Sequence, residues 1–385
     1  MQRRLPTLLR PLLPALAIGL VAVLPLAAAT APASPLPLDG FADGIHHWQH
    51  SHHLTRYPRL ADDDVAGIAE HLLLYQRANG GWRENEDPQR ILTAEERAAL
   101  AADREKTDTS FDNGATCPQI AYLSGAYQIT GDVRHRDAAR RGLEFVLSAQ
   151  HSSGAWPHSF PNNEGYRGLL TFADAVTPNV LRLLRAVAAG RPPFSWVEPD
   201  LRERARAAVA RGDAAVLLLQ IRRGGRLTGW AGQYDPVTLA PTRGRSFELP
   251  SITSRESVEV LRYLISIEAP PPEVVAAVEA TAAWLEASAI TGWRLETVAA
   301  DAVDFQYHIS VEDRRLVADP AAPPLWARFY DLTTNAPVLA NREGQQVSTY
   351  EQVGRERRTG YDWYGRWPAA FLDKELPAWR KRCSK

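Results

Sequence analysis

Cysteine is almost missing from this chain of 385 residues: Cys117 and Cys383 are the only two, which excludes a disulfide scaffold. One bridge between them in an oxidising compartment is the most they permit. Cys117 has no histidine close to it in sequence and reads as a packing residue rather than a catalytic thiol. An excess of either charge is missing too. With 44 Lys and Arg against 45 Asp and Glu the formal net charge is −1, which argues against a nucleic-acid-binding surface. Strand-type alternation is scarce and short, and beyond the first 29 residues no apolar run is long enough to span a bilayer.

The one long apolar run stands at the start. Arg3, Arg4 and Arg10 form a basic leader, Leu12 to Leu26 an apolar core, and Ala27-Ala28-Ala29 a small-residue cleavage site. Residues 1–29 are therefore read as a secretory signal peptide, and Pro14 and Pro25 argue against a permanent anchor. Residues 30–44, rich in Ala, Pro, Leu and Ser, read as a linker tail. The mature protein is expected to be secreted or periplasmic, with no membrane partner after cleavage. Next comes His46-His47-Trp48-Gln49-His50-Ser51-His52-His53, which holds half of the 10 histidines. His46 and His50 have the spacing a metal bridges on a helix, but no acid or thiol accompanies them, so the stretch reads as a solvated first helix.

From Asp62 on, the chain is mostly helical. Val65, Ile68, Ala69, Leu72 and Leu73 follow a 3.6-residue period, with Asp62-Asp63-Asp64 as an N-terminal cap. Further helix-type runs cover 119–127, 137–150, 177–189, 202–220, 254–267 and 273–288. All-α is the predicted class. A repeat organises these helices. Gln76 to Gly80-Gly81-Trp82, Gln150 to Gly154-Ala155-Trp156, and Gln220 to Gly224-Gly225 and Trp230 each end one helix. The three tryptophans are 74 residues apart, and Trp293 follows 63 residues later as a weaker fourth unit. Each unit fits a pair of helices with a long loop, closed by a left-handed glycine and covered by the tryptophan.

The stretch Phe111-Asp112-Asn113-Gly114-Ala115-Thr116 puts an acid and an amide at the mouth of a helix, where either side chain is placed to cap it. Phe172-Ala173-Asp174, Phe247-Glu248 and Phe329-Tyr330-Asp331 place acids at what the repeat makes equivalent points. Stacked helical hairpins curling into an α/α toroid bring those points to one rim of long irregular loops. Two carboxylates with an amide there are a hard-oxygen site suited to calcium, namely Asp112 and Asp174, with Glu248 a weaker third. Arg245, Arg328 and Arg342 lie in loops of the same kind, and Tyr166, Trp326, Tyr330, Tyr361, Trp363, Tyr364 and Trp367 supply aromatic faces. Guanidinium forks, a cation site and flat aromatic faces suit an anionic sugar chain.

Several of these stretches, in this order, resemble the catalytic module of family 10 polysaccharide lyases, the pectate lyases. They are Leu74-Tyr75-Gln76-Arg77 with Gly80-Gly81-Trp82, Lys106-Thr107-Asp108 leading into Asp112-Asn113-Gly114-Ala115-Thr116, and Gly154-Ala155-Trp156-Pro157. Thr171-Phe172 with Asp174, Arg245-Ser246-Phe247-Glu248-Leu249, Arg328-Phe329-Tyr330-Asp331-Leu332 and Arg357-Arg358-Thr359-Gly360-Tyr361 complete the set, from about Asp62 to Trp367. The resemblance implies an (α/α)3 toroid over residues 45–385, acting as a monomer on polygalacturonate or a related uronic polymer by anti β-elimination. It implies that Asp112 and Asp174 bind Ca2+ and the substrate carboxylate, that Arg245 is the base at C5, and that Arg328 and Arg342 hold the substrate. Asn113 and Tyr361 are the further substrate-contact candidates. An arginine base needs its pKa depressed or a high working pH, so an alkaline optimum is expected.

The chain departs from the family pattern in places. Arg83-Glu84-Asn85 stands where Pro-Lys-Asn is usual, Ala173 where an asparagine precedes the second acid, Cys117 where a threonine is expected, and Ala155 for a glycine. These motivate a competing reading, a uronide-binding relative without lyase activity. A terpene-cyclase-like toroid shares the Gln-x-x-x-Gly-x-Trp units, but Asp62-Asp63-Asp64 does not match the acid cluster such an enzyme needs.

Overall fold

Helices α1 (Ala42–Ser51), α2 (Val65–Tyr75), α3 (Ala94–Ala102), α4 (Cys117–Thr130), α5 (Val133–Ser148), α6 (Val176–Ala188), α7 (Pro199–Leu218), α8 (Ser254–Leu264) and α9 (Pro272–Ala287) succeed one another along the computed structural model, which describes residues 35–306 and 308–384. Each helix-type run of the sequence falls on one of them. Asp64 ends the acidic triplet by accepting the Gly67 N–H at 2.9 Å, capping α2 as expected, and Asp132 does the same for α5 with Arg134. The expected signal peptide lies outside the described residues.

Three helical hairpins, α4/α5, α6/α7 and α8/α9, build the (α/α)3 toroid. Their first helices pack on one another, α4 on α6 and α6 on α8; their second helices do likewise, α5 on α7 and α7 on α9. The repeated glutamines fasten hairpin to hairpin. Gln76 Nε2 donates to the carbonyls of Gly80 and Ala138, Gln150 to those of Gly154 and Ala208, and Gln220 to those of Thr228 and Ala277. Each side chain thus ties the loop after its own helix to the helix behind it, α5, α7 or α9 in turn. Gly154 has φ +101°, and a Cβ there would meet the Arg211 carbonyl at 2.2 Å, so only glycine allows the approach. The indole N–H groups of Trp82, Trp156 and Trp230 donate to the Leu72, Val146 and Val216 carbonyls at 2.7–2.8 Å, closing the ends of the preceding helices.

The fourth unit is not where the spacing put it. Trp293 is 44 % exposed and opens a strand, whereas Trp326 is buried and donates to the Leu285 carbonyl at the end of α9. Trp326-Ala327-Arg328-Phe329-Tyr330-Asp331 repeats Trp230-Ala231-Gly232-Gln233-Tyr234-Asp235 in structure as well. Both tyrosine hydroxyls take the N–H of the alanine and donate to the carbonyl ending the previous helix, Leu219 or Ser288. The displacement comes from an inserted antiparallel hairpin, Trp293–Phe305 with His308–Ala318, the main exception to the predicted all-helical class. Ile309 and Val311 are exposed on it while His308 and Ser310 are buried, so the alternation there is the reverse of an apolar-in strand. The remaining strands described are two-residue pairs. The segment read as a tail to residue 44 enters the fold earlier: Phe41 is buried against Tyr122, and α1 begins at Ala42. Three apolar residues, Leu36, Leu38 and Phe41, have core surface to cover there. Both cysteines are free, Cys117 at the start of α4 and Cys383 at the end of the C-terminal helix Leu376–Cys383.

Candidate active site

Two short turns precede α4 and α6 at the rim, Asp112–Gly114 and Ala173–Ala175. Thr116 builds the first by donating to the Ser110 carbonyl and accepting the Trp82 N–H. Thr177 builds the second with the Thr171 carbonyl and the Trp156 N–H. Asn113 (φ +49°) and Asp174 (φ +47°) take the same left-handed place in the two turns. Asp112 is therefore level with Ala173, and the acids are staggered by one residue rather than equivalent. Neither Asp112 nor Asn113 caps α4, whose N-cap is Thr116 with no side-chain bond to the helix's own N–H groups. Asp112 turns inward instead, where charged partners hold it.

The other two acids of the series also differ from expectation. Glu248 is buried in the loop ahead of α8 and does not open that helix. Asp331 is a turn residue: its Oδ1 accepts the N–H groups of Thr333 and Thr334, as Asp235 accepts those of Val237 and Thr238.

Asp112 is 1 % exposed. Its Oδ2 lies 2.8 Å from His158 Nε2 and 3.5 Å from Arg245 Nη2, while Oδ1 has no hydrogen-bond partner. Burial raises its pKa, Asp174 adds to that, and His158 and Arg245 oppose it without cancelling it. Asp174 Oδ1 is 4.0 Å from both Arg255 Nη2 and Arg328 Nη2. Burial works against its charge, but Arg328, Arg245 and Arg255 outweigh it and lower its pKa.

Arg245 bonds Glu248 through Nη1 at 3.0 Å and through its backbone N–H at 2.8 Å, and lies over the Tyr166 ring. Burial would lower its pKa, yet Glu248, Asp112 and Asp174 raise it well above the ordinary arginine value. Arg328 is buried. It grips Glu256 Oε1 through Nε at 3.0 Å and Nη2 at 2.5 Å, with its guanidinium 4.6 Å from the centre of the Tyr361 ring. The Tyr361 hydroxyl in turn donates to Glu248 Oε1 at 2.8 Å. Arg342 and Arg357 share Glu356 and flank the Phe247 ring.

One cleft of about 680 Å³ gathers Asn113, Asp174, Arg245, Arg328, Arg342 and Tyr361. Asp112 lies behind it, against Arg245. Every site residue picked from the sequence is therefore in or beside one cleft. Sequence reasoning missed Arg255, Glu256, Glu356 and His158. Arg255 and Glu256 follow Ser254 in the first turn of α8, where the repeat places the third rim turn; that register was the available signal. His158 follows Trp156-Pro157 and carries no motif of its own. The histidine-rich α1 is not turned wholly to solvent as expected, since His46, His47 and His50 line the same cleft.

The residues present fit calcium. Among the described residues Asp112 has a buried oxygen without a hydrogen-bond partner, and Asp174 Oδ1 has Arg255 and Arg328 at 4.0 Å. Together they offer the hard anionic oxygens that ion takes.

A family model described as pectic acid lyase matches residues 76–372. Among solved structures, the family 10 polysaccharide lyase from Cellvibrio cellulosa is 28 % identical with a TM-score of 0.69, covering 89 % of this chain and 98 % of that one. Its D189A mutant in complex with trigalacturonic acid is 27 % identical with a TM-score of 0.68, covering 89 % and 99 %. No curated protein matches. The match over more than half of the chain means that this protein belongs to the pectic acid lyase family and is a pectate lyase of the family 10 type.

Proposed function

We propose that the protein is an exported, monomeric lyase that cleaves polygalacturonate by calcium-assisted anti β-elimination, with residues 1–29 as its signal peptide and 45–385 as the catalytic unit. The observation that carries this is the meeting of the Asp112–Asp174 pair with Arg245 and Arg328 at one cleft. Asp112 and Asp174 hold the ion, which supplies positive charge to the substrate carboxylate and so makes the adjacent C5 proton more acidic. Arg328, locked by Glu256, and Arg342, locked by Glu356, present fixed guanidinium faces to uronate carboxylates. Asn113 orients a sugar hydroxyl, and Tyr361 offers its ring while bonding Glu248. Arg245 takes the C5 proton as the C4–O bond breaks and the C4–C5 double bond forms; the leaving oxygen takes a proton from water.

Arg245 is the demanding part of this reading, because Glu248, Asp112 and Asp174 hold its proton on. That favours an alkaline optimum, and it also sustains the reading of a uronide binder without turnover. Ultraviolet absorbance of unsaturated uronide product, followed with polygalacturonate and Ca2+ from pH 6 to 10, separates the two. Calcium-dependent product that Asp174→Asn and Arg245→Ala both abolish is the expected result. Product formation unchanged in Arg245→Ala would sink the mechanism, and tight binding without product would favour the binder.

A further inference from the structure

Glu84, Asp112 and His158 each offer one ligating atom, all within 4.8 Å of one another. His158 Nε2 and Arg245 Nη2 approach the same Asp112 oxygen, Oδ2, at 2.8 and 3.5 Å. His158 is 3 % exposed, and its Nδ1 is 2.8 Å from Ser159 Oγ, a contact that fixes the ring and leaves Nε2 facing the acids. Glu84 is anchored by the Ser110 hydroxyl at 2.6 Å, and the same hydroxyl accepts the Asp112 N–H. Asp112 brings an oxygen that is buried and without a hydrogen-bond partner. A lysine at position 84 would set a cation against this group; the glutamate adds a third ligand instead.

We propose that Glu84, Asp112 and His158 form a binding site for a divalent first-row transition ion, with Zn2+ held more tightly than Mn2+ and far more tightly than Ca2+. Two carboxylates with one imidazole nitrogen suit such an ion, whereas calcium takes oxygen ligands. The second cluster of this kind among the described residues, Glu70, Asp132 and His135, differs in kind. Arg134 already bonds both of its carboxylates, and Asp132 caps α5. The proposal rests on the functional reading above only in taking Asp112 as a metal ligand.

Isothermal titration of the substrate-free full chain with Zn2+, Mn2+ or Ca2+ alone tests it, with a His46→Ala/His50→Ala variant removing any contribution from α1. Visible absorption of the Co2+ form reads the nitrogen ligand. The expected result is one Zn2+ site that survives His46→Ala/His50→Ala and Asp174→Asn. It weakens about 10- to 100-fold in Glu84→Gln and His158→Gln, with the Co2+ spectrum altered in the latter. Zn2+ affinity unchanged in Glu84→Gln, or Ca2+ bound as tightly as Zn2+ by Asp174→Asn, overturns the proposal; Glu84→Gln keeps the shape of the side chain and decides the matter should His158→Gln not fold. Calcium-dependent turnover that survives Asp174→Asn would sink the calcium reading, whereas the Zn2+ isotherm decides the Glu84–Asp112–His158 site by itself.

Discussion

Arg245 sits where three carboxylates meet, and its neighbours set what it can do. Glu248 is the first of the groups that raise its pKa against burial. Removing that charge in Glu248→Gln should lower the arginine pKa, so that more neutral guanidine is present at a given pH. The acidic limb of the kcat/KM–pH profile should then move to lower pH, as a profile on polygalacturonate will read; movement to higher pH would contradict it. The role proposed for Arg328 is different, that of a positioned charge. Its two bonds to Glu256 fix the plane that faces the cleft. A lysine cannot reproduce that fork. Arg328→Lys should keep the net charge yet raise KM by about 10-fold, roughly 1.4 kcal/mol, in steady-state kinetics.

At the scale of elements, the glutamine clamps and the inserted hairpin make opposite contributions. Gln150 donates two part-buried hydrogen bonds, one to its own loop and one to α7. Truncation in Gln150→Ala leaves both carbonyls without that donor, at about 1–3 kcal/mol for each unsatisfied group. A loss of about 2–4 kcal/mol in urea unfolding, with the slope unchanged, is expected. The hairpin, by contrast, is an addition. Its ends are already adjacent, since the Asp319 N–H donates to the Gly292 carbonyl at 2.8 Å and Ile290 pairs with Leu325. Replacing residues 294–317 by a short glycine link should leave the helical circular dichroism intact. It removes His308 and Arg314 from the cleft wall, so KM for long polygalacturonate should rise severalfold.

For the whole molecule, buried and half-buried ionic groups link stability to pH. Burial would raise the Glu356 pKa, but hydrogen bonds from Arg357 and Arg342 pull it down to about 2. A depressed carboxylate pKa stabilises the fold above the ordinary value of 4.5 and loses that contribution as pH falls towards 2. Asp112 has the opposite sign, because its raised pKa makes protonation favour the folded state. Glu356→Gln should therefore unfold at a lower temperature than the natural chain at pH 7. The gap between the two Tm values should close between about pH 4.5 and pH 2, as differential scanning calorimetry will measure.

The 74-residue spacing of Trp82, Trp156 and Trp230 and the 3.6-residue periods were enough to read helical pairs, because helix faces and end caps are local properties written in order along the chain. Asp112, Asp174, Arg245 and Arg328 could be singled out for a related reason: each follows a repeat tryptophan in the loop that leads to the next element. What the chain could not disclose was everything that depends on distant partners. The hairpin after Trp293 interrupts the helical repeat, so its place in the fourth unit emerges only with Trp326 seated on α9. The left-handed backbone shared by Asn113 and Asp174 is not encoded by residue types alone. His158 reaches Asp112 across 46 positions of sequence, and that approach, with the charges it brings together, was decided by tertiary packing alone.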